Sequence, residues 1–156
     1  MLFRSADIAA LTGNTPNIVM DLLLKQSPIP LVSAVDATGE AARRRGASTV
    51  GLLGTQFTMN ARFFQLAFRD RDIQVVVPTA SEIAFIQERI ESELEHGIVT
   101  DATRRAFVAI IQRMKRTAGI DHVALACTEL PLLLSDACSP VPCLDTADIH
   151  VEALIS

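Results

Sequence analysis

Cys127 has the most reactive setting of any side chain in the sequence. It follows the apolar run His122-Val123-Ala124-Leu125-Ala126 and precedes Thr128-Glu129. A cysteine between a strand and a helix meets the positive end of the helix dipole, which draws a thiol pKa from about 8.5 toward neutrality. Such a thiol is a nucleophile or a proton carrier. The same position also suits a buried cysteine acting as a small apolar side chain. Three further junctions are equally small and polar: Thr12-Gly13-Asn14-Thr15, Thr55-Gln56-Phe57-Thr58 and Asp145-Thr146. Hydroxyls and backbone N–H groups at helix N-termini hold carboxylates or phosphates. Taken singly, each junction is an ordinary helix cap; four in one short chain point to a small anionic ligand.

The remaining chemistry-bearing residues are weaker signals. Cys138 and Cys143 lie in a Ser/Pro-rich loop and at a strand start, and both read as structural. No C-x-x-C pair is present, so no zinc site is expected. His96 precedes Gly97 at a helix end, and His122 opens a strand without an evident role. His150, one turn into the last helix, either reaches the cleft after Asp145-Thr146 or is a packed or solvated histidine. Arg43-Arg44-Arg45 reads as a solvated helix end. Gly51-Leu52-Leu53-Gly54 lacks the spacing of a phosphate or dinucleotide loop, so no nucleotide cofactor is assigned.

These residues need a scaffold, and the composition supplies one. The chain has 156 residues, 49 % apolar and 21 % charged, with a net charge of −4. That is a folded domain, or two small lobes sharing a core. With no Trp or Tyr and an acidic balance, no nucleic-acid surface is expected. No run reaches the ~18 apolar residues of a membrane span, and Asp7 interrupts any apolar leader in residues 1–7. Three cysteines without an export signal read as thiols in a reducing cytoplasm.

Short apolar runs alternate with amphipathic segments. Strands are expected at 7–12, 30–35, 49–54, 73–78, 122–126 and 142–145. Helices are expected from Asn14-Thr15-Pro16, over 36–45 and 58–68, and from Thr128 and Thr146. Two longer helices carry stripes at Ile83, Ile86, Ile90 and Leu94, and at Ala106, Phe107, Ile110, Ile111 and Met114, the second capped by Thr100. This alternation predicts an α/β fold with mostly parallel sheets. Strands at 7–12 and 30–35 alone would form a thin sheet with open edges, so a covering partner or a homo-oligomer is expected.

The stretch Val123-Ala124-Leu125-Ala126-Cys127-Thr128-Glu129-Leu130-Pro131-Leu132-Leu133-Leu134 resembles the second signature of the aspartate/glutamate racemase family. Asn14-Thr15-Pro16, Gly51 to Thr58, and Leu144-Asp145-Thr146 with His150 resemble the same family in the same order, so the similarity runs from about Asp7 to Glu152. Glu129 after the Cys-Thr pair is similar to the aspartate-type branch. The resemblance implies two pseudo-symmetric α/β lobes: 1–48 with 140–156 as a partial first lobe, and 49–139 as the second. It also implies racemisation of an amino acid or related dicarboxylate without pyridoxal phosphate or any other cofactor. One thiol removes the Cα proton and another delivers one on the opposite face. Carried over, Cys127 is the second thiol, and Asn14, Thr15, Thr55, Thr58 and Thr128 are substrate-binding positions.

Two departures shape the expectation. The first-lobe thiol slot holds Thr12-Gly13, which makes Thr12 the candidate partner of Cys127, although a hydroxyl is a far poorer base than a thiolate. Family members also carry a strand and Gly-rich loop ahead of the matching region, so the chain is expected to correspond to a shortened member with an incomplete first lobe. The alternatives are a malonate-type decarboxylase using one cysteine, or a non-catalytic racemase-like fragment.

Overall fold

The computed structural model describes residues 6–156. The segment 1–5, part of the stretch read above as lacking a leader, lies outside the described residues. Two parallel sheets organise the chain. In the smaller, β1 (Ala9–Ala10) pairs with β2 (Leu31–Val32). The larger has the order β4-β3-β5-β6, built from β3 (Thr49–Gly54), β4 (Gln74–Val76), β5 (His122–Ala126) and β6 (Cys143–Asp145), all parallel. The α/β class with parallel sheets is therefore as the sequence implies.

The strands expected at 7–12 and 30–35 shrink to two residues each and are half-buried rather than buried. Local caps explain both. The Ser33 hydroxyl accepts from the Asp36 N–H at 3.1 Å, which starts α1 (Ala34–Arg44) directly after β2. After β1, Gly13 takes φ +89° and turns the chain into a 3-10 turn over Thr15–Val19, which continues as a short helix over Met20–Gln26. The single helix expected over 58–68 is two, α2 (Gln56–Asn60) and α3 (Phe63–Arg69), because Ala61 is extended between them. The two long helices are α4 (Ala80–Ser92) and α5 (Asp101–Ala118). Thr79 and Glu82 form a capping box on the first; Thr100 caps the second. α6 is only Leu130–Leu133, and α7 (Thr146–Ile155) is capped by Asp145.

β3 and β5 form the centre, and the side-chain period of two sorts their residues onto two cores. Leu53, Val123, Leu125 and Cys127 face α4 and α5, packing with Ile86, Ile90, Phe107, Ile111 and Met114. Val50, Leu52, Ala124 and Ala126 face the other side, with Ala42, Phe64, Phe68, Leu144 and Ile149. At the amino ends of these strands, Asp121 Oδ2 accepts from the N–H groups of Ser48 and Thr49 and from the Ser48 hydroxyl, while Oδ1 pairs with His122 Nδ1 at 2.9 Å. Burial would raise this carboxyl, but the hydrogen bonds from Ser48, His122 and Thr49 outweigh it and hold the pKa at about 2. His122 thus clamps the sheet at the end remote from Cys127. β6 joins the larger sheet beside β5, whereas α7 packs on α1. Among the described residues, no helix is long and apolar enough to cross a membrane.

Candidate functional site

The carboxyl ends of β3, β5 and β6 finish along one edge. Gly54 pairs with Ala126, and Leu125 with Asp145, so Thr55, Cys127 and Thr146 leave adjacent strands close together. Neighbouring strands are about 4.8 Å apart. A Cβ on Gly54 would stand 2.8 Å from the Ala126 carbonyl oxygen and 3.3 Å from Thr58 Cγ2. Only glycine allows this approach without moving backbone.

The loop after β1 is tied to the same edge. Asn14 Nδ2 donates to Thr146 Oγ1 at 2.8 Å, and that hydroxyl donates to the Leu125 carbonyl at 2.9 Å. Thr15 Oγ1 lies 3.3 Å from Thr58 Oγ1, and Thr55 Oγ1 donates to Thr58 Oγ1 at 3.1 Å. Asn17 holds the loop from behind, donating to the Gly13 carbonyl at 2.8 Å and accepting from the Ala34 N–H at 3.2 Å. Asn14 Oδ1 is buried and, among the described residues, has no hydrogen-bond partner. Buried polar atoms are rarely left in that state, so an acceptor stands ready at the centre of the cluster.

Cys127 is 8 % exposed, and its Sγ donates to Glu129 Oε2 at 2.9 Å. Thr128 Oγ1 donates to the other oxygen, Glu129 Oε1, at 2.9 Å. Of the two settings that position leaves open, an activated thiol or a buried one, the side chain takes the buried one. Burial first, and then the Glu129 carboxylate, push its pKa up to about 12. The helix dipole expected to lower it is too small, since α6 begins at Leu130 and has four residues. Glu129 moves the other way, lowered by the bond it accepts from Cys127. Both shifts describe one arrangement, a protonated thiol on an ionised carboxylate.

Iodoacetamide, which reacts with thiolate, should therefore label Cys127 slowly. At pH 8 a thiol of pKa near 12 is about one ten-thousandth ionised, against roughly a quarter for an ordinary cysteine. Labelling should climb about tenfold per pH unit past pH 9. Glu129→Gln removes the negative acceptor, lowers the thiol pKa and should speed labelling at pH 8; mass spectrometry of the labelled peptide reads the rate. Unchanged labelling in Glu129→Gln would show that the carboxylate does not control the thiol.

Thr15, Thr55 and Thr58 thus share one hydroxyl network, Asn14 joins Thr146 in a second, and Cys127 and Thr128 converge on Glu129. Thr12 is exposed and makes no side-chain hydrogen bond among the described residues; it is not joined to either group. Nor does His150 face the cleft: it is 6 % exposed, and its Nε2 lies 3.0 Å from the Val32 carbonyl oxygen, tying α7 to β2. Cys143 is buried at the start of β6, and the Cys138 thiol contacts the Ser135 backbone. Two contributors escape a reading based on residue type at strand ends, Asn17 as a support and Glu129 as the partner of the thiol, while Thr146, marked there with Asp145, serves as a linker. The Cys-Thr-Glu spacing was the available signal for Glu129. Beside Thr55, an open cavity of about 640 Å³ is walled by Gln56, Phe57, Asn60, Gln87 and Glu91. Among the described residues, no group of His, Cys, Asp and Glu is arranged to hold a metal.

A parallel α/β sheet with a thiol–carboxylate pair and a Thr/Asn cluster at one carboxyl edge narrows the class, and the comparisons with known proteins complete the assignment. Residues 3–154 match the family model described as Asp/Glu/Hydantoin racemase. The chain belongs to the Asp/Glu/hydantoin racemase family. It is similar to the crystal structure of an aspartate racemase homologue from Pyrococcus horikoshii, with 35 % identity and a TM-score of 0.90, over 96 % of this chain and 66 % of that one. A glutamate racemase from a Hydrogenobaculum species is 25 % identical over 158 residues, covering 100 % of this chain and 58 % of its own length. The aspartate racemase of Picrophilus torridus shares the fold, with a TM-score of 0.79 at 22 % identity over 97 % of this chain and 62 % of that one. The chain therefore spans a little under two thirds of each of these relatives.

Proposed function

We propose that the chain is the cysteine-bearing part of a cofactor-independent amino-acid racemase. The observation that carries this reading is the Cys127–Glu129 pair set beside the Asn14/Thr15/Thr55/Thr58 cluster on one strand edge. The smaller sheet, β1 with β2, marks the proposed first lobe and the larger sheet the second; because β6 joins the larger sheet, the division crosses the expected segment 140–156 rather than following it. Three free thiols support a reducing compartment such as the cytoplasm.

The roles follow from donor and acceptor chemistry. Asn14 Oδ1 accepts from the substrate ammonium. The Thr15 hydroxyl, with nearby backbone N–H groups, takes the α-carboxylate, and Thr55 and Thr128 join it by turning their protons from Thr58 and Glu129 to the substrate. Thr58 is fully buried and positions Thr15 and Thr55 rather than touching substrate. Cys127 exchanges a proton with Cα on one face, and Thr12 or a water held near Gly13 serves the other. Resting Cys127 is protonated, so the ammonium of a bound amino acid must offset Glu129 before the thiolate forms. A neighbouring cation favours the charged form of an acid.

The test is α-hydrogen exchange. Incubated with amino acids in deuterated water, the purified chain should introduce deuterium at Cα, read by proton NMR. A second reading is favoured by the protonated state of the thiol: a lone proton donor suits delivery to the carbanion left by decarboxylating a substituted malonate. Carbon dioxide release from a malonate without α-exchange of any amino acid would select that reading. Neither activity would overturn both.

A further inference from the structure

A carboxamide has a donor end and an acceptor end of nearly the same shape, so what an asparagine offers a ligand depends on which way it is turned. For Asn14 that choice is made two hydrogen bonds away. The Leu125 carbonyl oxygen can only accept, so the Thr146 hydroxyl, 2.9 Å from it, gives its single proton there. The hydroxyl oxygen is then left to accept, and the group 2.8 Å from it is Asn14 Nδ2. The reversed amide would set Oδ1 against a hydroxyl with no proton to give. Both side chains are buried, so water does not make up such a mismatch, and an unmet buried group is costly. Oδ1 is therefore the end that faces away from Thr146, buried and, among the described residues, without a partner.

The loop does not depend on this bond for its shape. The Asn17 N–H donates to the Asn14 carbonyl at 3.0 Å, Asn17 Nδ2 donates to the Gly13 carbonyl, and Asn17 Oδ1 accepts from the Ala34 N–H. What the Asn14–Thr146 bond adds is an orientation. It also joins the two sheets: Asn14 follows β1 of the smaller, and Thr146 opens α7 after β6 of the larger. Leu125, which anchors the relay, stands two residues before Cys127. The strand that leads to the thiol thus also sets the polarity of the amide.

We infer that Thr146 is a positioning residue for the racemase reaction, an inference that rests on the racemase reading above: its hydroxyl, oriented by the Leu125 carbonyl, latches the Asn14 amide with Oδ1 turned to receive the substrate ammonium. Valine at this position keeps the shape but neither donates nor accepts. The amide torsion has two broad wells, so the unlatched side chain also presents Nδ2, which repels an ammonium. Serine keeps the hydroxyl and with it the latch.

The bond is read first by NMR, without substrate. The chain has three asparagines, and side-chain amide exchange into deuterated water is followed in protein labelled with 15N-asparagine. In the parent, the amides of Asn14 and Asn17 should exchange at least about tenfold more slowly than that of exposed Asn60. Thr146→Val should raise the Asn14 rate at least about tenfold and leave Asn17 protected, while Thr146→Ser should resemble the parent. Fast exchange of Asn14 in the parent, or an Asn14 rate unmoved by Thr146→Val, overturns the latch. Loss of Asn17 protection as well would give Thr146 a merely structural role and overturn it too.

Kinetics then test the purpose of the latch. Whichever of alanine, aspartate and glutamate exchanges its α-hydrogen fastest is the substrate, and its counterpart without the amino group (propionate, succinate or glutarate) is the competing inhibitor. Thr146→Val should raise KM about tenfold, the loss expected of one hydrogen bond to a charged group. Both kcat and the inhibitor Ki should stay within about twofold, because the inhibitor has no ammonium to meet Oδ1. Thr146→Ser should restore KM. KM and Ki weakened together, or neither moved, overturns the positioning role and leaves the racemase reading standing. Exchange of none of the three amino acids overturns the racemase reading and this role with it, whereas the NMR rates still report the Asn14–Thr146 bond.

Discussion

Cys127→Ser is expected to reduce α-hydrogen exchange by at least about a thousandfold, whatever amino acid is the substrate. General acid–base groups contribute typically 10²–10⁴-fold, and a serine hydroxyl neither gives nor takes a proton as a thiol does. The other two cysteines serve as internal controls. Cys143 opens β6, at the end of the strand away from the Asn14–Thr146 cluster, and Cys138 sits in the loop that precedes it. Cys138→Ser and Cys143→Ser should therefore keep exchange within a fewfold of the parent. Cys143→Ser alters packing, since that side chain is buried in the core beneath α5, and its cost should appear in the melting temperature rather than in the rate. Full exchange activity in Cys127→Ser would remove the thiol from the mechanism.

The residues that the sequence marks out are those whose role follows from local pattern. The buried stripes of α4 and α5, the apolar runs of β3 and β5 and the cap at Thr100 all follow from local pattern, and the structure keeps them, with Ala106 half-buried. The first two strands were overextended because an apolar run cannot report where a cap cuts it: Ser33 and Gly13 set those limits. The charge state of Cys127 stays open in the sequence for a different reason. Its place after a strand was read correctly, but a thiol pKa depends on what faces it, and Glu129 two residues on outweighs a helix of four residues. Long-range ties were illegible in principle. Nothing in the chain order announces that Asn14 meets Thr146, 132 positions away, or that His150 turns from the cleft to Val32.

In deuterated water, one enantiomer of the substrate is expected to exchange its α-hydrogen faster than it inverts. Cys127 approaches Cα from one face only. Once its thiolate has removed the proton, the same sulfur can return a deuteron with retention, whereas inversion needs an acid on the opposite face. The slot proposed for that acid holds Thr12, exposed and, among the described residues, without a hydrogen-bonded partner to tune it, followed by Gly13. An alcohol or a water has a pKa far above the ~8.5 of cysteine, so the inverting route carries the higher barrier. Each 1.4 kcal/mol or so of that difference slows it about tenfold. The remedy is a thiol in the slot, and the backbone says where. Gly13 holds φ +89°, a conformation that an L side chain rarely adopts, so Gly13→Cys would strain the turn that delivers Asn14 and Thr15. Thr12→Cys leaves that turn intact. It should speed inversion by at least about tenfold and bring it toward the exchange rate, measured by chiral chromatography and NMR on the same samples. Equal exchange and inversion of both enantiomers in the unmodified protein would mean that a competent second acid already stands opposite Cys127, and Thr12 would lose its role.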